Sequence, residues 1–224
     1  MNNEIKHHLT DDILMAYATG NLSEAFSLMV ATHVSLCDTC RAQLETFEAL
    51  GGALLDEALD DLDTMPIDGV AMDTGSFAAT LARVAASDAT RPAPRRSAGV
   101  LPTPLQDYVG GDIDQIRWRP VGMGVKQAIL KTSAEASARL LYIPAGMAMP
   151  DHGHHGTEVT MVLQGAFQDE GDYFGRGDVE IADEDLHHTP VADTSEDCIC
   201  LAVTDAPLRF TSLLPRLAQP FLRI

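Results

Sequence analysis

Gly146-Met-Ala-Met-Pro-Asp-His152-Gly-His154-His155-Gly-Thr-Glu158-Val-Thr-Met-Val-Leu-Gln-Gly165 is the stretch on which the fold turns. On an extended chain, side chains at i and i+2 point the same way, so His152 and His154 share a face and His155 takes the other. Glu158 is an even number of residues further on and can rejoin the first face. Gly146 and Gly165 suit tight turns at either end. Imidazoles and a carboxylate gathered on one face of a strand make a metal-binding set.

Working outward from this stretch, the C-terminal half reads as short apolar segments broken by Gly, Pro and Asp. They are Ile116 to Arg119, Val125 to Leu130, Arg139 to Ile143, Glu158 to Leu163, Cys198 to Val203 and Leu208 to Leu213. Many short strands with frequent turns predict an all-β sandwich or barrel. Upstream, Arg91 to Pro104 holds four prolines without periodicity and predicts an extended linker. The expected organisation is a helical domain at 1–88, a linker at 89–104 and a β domain at 105–224.

The front region has helical spacing. Thr10, Asp11 and Asp12 predict an N-cap and first turn of a helix that Gly20 stops. Ser23 and Glu24 start a second helix with Phe26, Val30 and His33 on one face. A third runs from about Thr39 to Leu59 with Leu44, Phe47, Leu50, Leu54 and Leu55 as its stripe. Asp60 to Gly75 reads as an acidic connector. Ser76 to Ala86 reads as a short helix with Phe77, Leu81 and Val84 on one side, marginal unless it docks on something.

His33-Val-Ser-Leu-Cys37-Asp-Thr-Cys40 gives this front region its chemistry. An imidazole and two thiolates at this spacing can converge on one tetrahedral Zn²⁺, with His7 or His8 as the fourth ligand; we favour His8, which adjoins Leu9. A site closed by four side chains is structural, and zinc would contribute directly to folding three short helices.

The chain carries a formal net charge of −18. Residues 1–90 hold 15 Asp and Glu against 3 Lys and Arg, and the remainder 18 against 12. Such a surface repels a phosphate backbone and suits a basic protein partner. No window resembles a signal peptide or reaches the ~18 apolar residues that span a bilayer, which predicts a cytoplasmic protein without membrane contact. Four cysteines in a reducing compartment read as ligands or redox-active thiols. Cys198 and Cys200 share one face of a strand; buried core thiols are the first reading, and an oxidant-reactive pair beside the metal is the second.

The Gly146 to Gly165 stretch resembles the first cupin motif at every specified position. The second motif is only partly present: His188 follows Gly177 at the right interval, whereas Asp183, Asp185 and Ala192 replace the usual Pro, Gly and Asn. That resemblance implies a double-stranded β-helix or jelly-roll barrel whose metal ligands are His152, His154, Glu158 and His188, with His187 as rival to His188. The cupin metal would be Zn²⁺ or another divalent transition metal. With His8, His33, Cys37 and Cys40 in a helical front domain, the whole chain is similar to the ChrR family of zinc-binding anti-sigma factors.

This resemblance implies that the front domain holds an extracytoplasmic-function sigma factor off core RNA polymerase. It implies that the cupin senses an oxidative signal, singlet oxygen or organic hydroperoxide, and triggers release. The chain would then be a regulator and not an enzyme; the competing reading is a cupin metalloenzyme, a dioxygenase or isomerase, with a zinc-stabilised accessory domain. Homo-oligomerisation is left open.

Overall fold

The computed structural model describes residues 4–62, 73–86, 99–210 and 219. Its helices are α1 (Asp11–Ala18), α2 (Glu24–Val34), α3 (Asp38–Leu62), α4 (Ser76–Ala86) and α5 (Thr103–Val109). Its strands are β1 (Arg119–Gly122), β2 (Val125–Ile129), β3 (Ser137–Ile143), β4 (His152–Gly153), β5 (Glu158–Gln164), β6 (Phe167–Asp169), β7 (Asp172–Phe174), β8 (Val179–Ala182), β9 (His187–His188), β10 (Val191–Ala192), β11 (Cys198–Thr204) and β12 (Arg209–Phe210). Among the described residues no helix is long and apolar enough to cross a membrane.

Thr10 caps α1 through its hydroxyl oxygen, which accepts from Ile13 N–H at 3.4 Å, and Asp11 and Asp12 favour the positive end of the helix dipole. Ser23 precedes α2 as expected but makes no side-chain cap bond. The expected third and fourth helices are present, α3 beginning at Asp38 and α4 spanning Ser76 to Ala86. The expected connector at Asp60 to Gly75 is helical over its first three residues; residues 63–72 lie outside the described residues.

A six-stranded antiparallel sheet runs β1-β2-β3-β11-β5-β8, faced by the small sheets β10-β6-β7 and β12-β4-β9. β11 is buried at all seven positions because both faces of the sheet are covered. Its odd residues Ile199, Leu201 and Val203 join the core beneath the helices, and its even residues Cys198 and Cys200 join a second core inside the barrel. β5 divides the same way: Val159, Met161 and Leu163 face the helices and Val162 faces the barrel. Period-two alternation between two buried environments explains why β11 reads as an apolar run closed by Thr204 and why β5 keeps four apolar residues around Thr160.

The first core is continuous from the front helices into the sheet. Leu14, Leu28, Met29 and Val30 belong to one cluster with Leu140, Met161 and Leu201. Helix α2 lies against β3, β5 and β11. Burying each such side chain contributes about 1.5–3 kcal/mol, so this contact supplies packing that the short helices α1 and α2 lack by themselves. Glu24 pins the start of α2, its carboxylate accepting from Tyr108 O–H at 2.7 Å and Ser133 N–H at 2.6 Å.

Two expectations shift. The first strand lies at Arg119–Gly122, and Ile116 and Trp118 instead pack their side chains against the helix-side core. Thr103 and Pro104, expected in an extended linker, begin α5, where proline's fixed φ suits a first turn. Leu101 and Leu105 are buried there, which anchors the end of the proline-rich segment to the shared core. The rest of that linker, residues 91–98, and residues 211–213 of the last expected strand lie outside the described residues.

Gly165 turns the chain from β5 into β6 at φ +69°, and a Cβ there would stand 2.7 Å from the Asp197 carbonyl oxygen. Positive φ and a backbone clash act together. Gly165→Ala is expected to lower unfolding free energy by roughly 2–3 kcal/mol, read by urea denaturation, whereas Gly171→Ala, with open space around it, costs only the φ strain of about 1 kcal/mol.

Candidate metal centres and the helix-barrel seam

The structure brings His8, His33, Cys37 and Cys40 together, with one ligating atom from each lying within 4.8 Å of the others. Cys37 and Cys40 flank the start of α3, His33 comes from the last turn of α2, and His8 arrives on the chain before α1. His8 Nδ1 lies 3.3 Å from Cys37 Sγ and 3.6 Å from Cys40 Sγ. A tetrahedral ion with Zn–S ~2.3 Å and Zn–N ~2.0 Å sets its ligands about 3.5 Å apart, so these spacings fit Zn²⁺.

His33 is fully buried, and although the Gly177 backbone lies beside its ring, neither ring nitrogen reaches a partner with full hydrogen-bond geometry. An orphaned buried imidazole beside two thiols is what a cation would satisfy. Burial, aided by repulsion from His8, lowers His33 to about 4, which keeps the ring in its neutral, ligating form. Burial raises Cys40 to about 11, opposed by a backbone hydrogen bond from Leu9, so its thiolate forms only against a positive charge. His7 turns away from this cluster and packs on Phe174 and Asp178.

In the barrel, His152, His154 and His188 converge. His188 Nε2 lies 3.1 Å from both His152 Nε2 and His154 Nε2. Three adjacent nitrogens of a six-coordinate ion would stand about 3.0 Å apart, so the triad fits a divalent transition metal. β4 pairs with β9 and sets His152 directly opposite His188. His187 is exposed and folds over Gly153, outside the triad.

Glu158 is placed differently from the three imidazoles. Its Oε2 stands 3.9 Å from His154 Nδ1, the ring nitrogen opposite the triad, and its Oε1 accepts from the Thr160 hydroxyl at 3.1 Å. Burial raises its pKa, with Thr160, His188 and Arg139 opposing. Burial likewise lowers His152 and His154 to about 4 each.

A second pair of carboxylates, which the sequence reading missed, stands behind His188. Asp169 Oδ2 accepts from His188 Nδ1 at 2.7 Å, and Glu180 Oε2 lies 3.8 Å from the same nitrogen. Such a bond fixes the tautomer and leaves Nε2 free to ligate. Burial, and a shared hydrogen bond with Asp169, push Glu180 up to about 9. Pairing distant in sequence places these acids, β6 lying against β10 just after His188 and β8 against β5, and no local motif marks them.

A cavity of about 420 Å³ opens beside the triad, walled by Val121, Leu141, Met149, Phe167 and Phe210. Gln127, Arg139, Glu158 and Thr160 line its polar part. Cys200 also reaches this wall, with its Sγ 3.4 Å from that of Cys198. Both thiols are free and buried. The hydrogen bond with Cys198, together with burial, raises Cys200 well above the usual thiol range, which makes it a poor nucleophile.

Residues 106–207 match the family described as the ChrR cupin-like domain. The anti-sigma-E factor ChrR of Cereibacter sphaeroides is 58% identical over 221 residues, 98% of this chain and 99% of that relative. A crystal structure of Rhodobacter sphaeroides SigE in complex with the anti-sigma ChrR aligns at a TM-score of 0.74 with 52% identity, over 90% of this chain and 99% of that one.

Because the pKa of His33 is about 4 when folded against 6.5 for an ordinary histidine, the unfolded chain binds more protons between those values. Stability therefore falls as pH drops from 6.5 to 4, by about 3 kcal/mol for this one residue. Circular dichroism at 222 nm with a zinc-sensitive dye should register loss of helix and release of zinc together across that window, and neither between pH 7 and 8.

Proposed function

The chain belongs to the ChrR family of anti-sigma factors, and from that premise we propose that residues 1 to about 85 sequester an extracytoplasmic-function sigma factor while the cupin governs its release. The observation that carries this reading is near-full-length identity to an anti-sigma factor, joined to apolar helix residues that are exposed among the described residues. On α3, Leu50, Leu54 and Leu55 are exposed, and on α4 so are Phe77, Leu81 and Val84. Phe77 is 73% exposed. Exposed apolar residues on each helix, those of α3 followed by Asp56 and Glu57, fit a partner with an apolar groove and a basic surround.

Zinc held by His8, His33, Cys37 and Cys40 would fix the angle between α2 and α3 and so aim the exposed stripe. The bound metal in the barrel, held by His152, His154 and His188 with Glu158 alongside, would supply a Lewis-acidic position facing the cavity. Gln127 and Arg139 line that cavity and would orient whatever enters. Cys198 and Cys200, buried and with the Cys200 thiol held protonated, would pack the barrel core, and an oxidative signal such as singlet oxygen or an organic hydroperoxide would be received in the cavity beside the three histidines.

The closed zinc site, the continuous core beneath α2 and the exposed stripes give a regulator's architecture, and the reading places the protein in the cytoplasm beside RNA polymerase. A metalloenzyme would put its binding energy into the cavity and would not need uncovered helix faces.

Binding of the full chain to its purified sigma factor tests the reading. Phe77→Asp with Leu81→Asp should weaken the complex at least 100-fold in isothermal titration calorimetry while leaving the circular dichroism spectrum intact, since neither side chain is buried. Unchanged affinity would remove the α4 clasp from the account. His152→Ala should lose barrel metal, seen by elemental analysis, and still form the sigma complex; full retention of the metal would remove His152 from the barrel centre.

A further inference from the structure

Residues Ile5 to His8 cross from the zinc cluster onto the barrel and are held there by one short piece of chain. Asp178, itself buried, accepts from Lys6 N–H at 2.6 Å and His7 N–H at 2.9 Å through Oδ1, and from Gly175 N–H at 2.8 Å through Oδ2. Val179 N–H donates back to the His7 carbonyl at 3.3 Å. Ile5 lies so close over Gly177 that a Cβ there would stand 2.5 Å from its Cδ1. The His7 ring packs on Phe174 at 4.3 Å between centroids. The next residue is the zinc-cluster ligand candidate His8.

The same short piece of chain reaches the three-histidine centre from its other end. Phe174 stacks on its cross-strand neighbour Phe167 at 4.9 Å, and Phe167 walls the cavity beside His152 and His188. Two residues further along β6, on the same inward side, Asp169 holds His188 at 2.7 Å. Residues 167–179 therefore touch the barrel centre through Asp169 and Phe167, and the zinc cluster through Phe174, Asp178 and the Ile5–His8 strap.

We propose that residues 167–179 carry the state of the barrel's histidine centre to the helical zinc site, with the Phe174–His7 contact as the joint. This rests on the reading that the barrel controls the helices. When His188 is drawn toward or released from the centre, Asp169 moves with it. β6 is only three residues long and is paired on both sides, so the shift passes to Phe167 and Phe174 rather than dissipating in a loop. At the far end the strap loosens, and His8 with it. Close-packed contacts of this kind switch between discrete arrangements rather than deform smoothly.

A double-mutant cycle on the full chain measures the coupling, read by hydrogen–deuterium exchange of peptides covering residues 5–15 and 24–40. His152→Ala, which disturbs the barrel centre, is expected to speed exchange in both peptides at least tenfold. In a chain carrying His7→Ala and Phe174→Leu, the same change should speed it less than twofold. Protection across β5 and β11 reports whether each variant is folded, and His7→Ala alone serves if the double background is not.

Equal effects of His152→Ala in the two backgrounds, or no effect in either, would overturn the proposal. Sigma binding by the undisturbed chain is measured separately. A chain that binds sigma without the exchange coupling leaves sequestration standing and removes the strap, and a chain that couples without binding sigma does the reverse.

Discussion

The burial of α2 against the outer face of the six-stranded sheet is the contact on which the rest of the molecule depends. α1 to α3 share one continuous core with the barrel, packing Leu14, Leu28, Met29 and Val30 with Leu140, Met161 and Leu201. Without that face α2 would not hold His33 at a fixed place, and the zinc cluster would lose its most buried member. Because the sheet is covered on one side by helices and filled on the other by the barrel interior, β5 and β11 are buried at nearly every position.

Two candidate metal centres of opposite character follow from this layering. The cluster of His8, His33, Cys37 and Cys40 sits where chain segments cross, has four protein donors and offers nothing to an incoming molecule. Such a centre can only hold helices together. The three barrel histidines face a cavity, and the carboxylates behind His188 fix its orientation. A centre of that second kind can respond to what enters it. The proposed function rests on this division, with holding given to the helices and responding to the barrel.

Much of this was legible in the sequence where local spacing carries the chemistry. His33, Cys37 and Cys40 lie within one helical turn and the start of the next, and His152 and His154 lie two apart, so their convergence needs no knowledge of topology. The structure separates His8 from His7 and His188 from His187, because in each pair one ring faces the cluster and the other is held by Asp178 or by Gly153. Illegible were features made by long-range pairing: Asp169 and Glu180 behind His188, Asp178 under the strap, and the continuity of the helical core with the sheet. Prolines at 102 and 104 misled for a local reason, since proline opens a helix as readily as it extends a linker.

The central claim, that zinc-organised helices hold a sigma factor, is tested most directly by transcription from a sigma-dependent promoter with purified core polymerase, sigma factor and increasing amounts of the full chain. The account predicts that the parent chain silences the promoter near equimolar sigma and that the Cys37→Ser, Cys40→Ser variant leaves it active at the same dose. Equal silencing by that variant, with zinc shown to be absent from it, would contradict the claim.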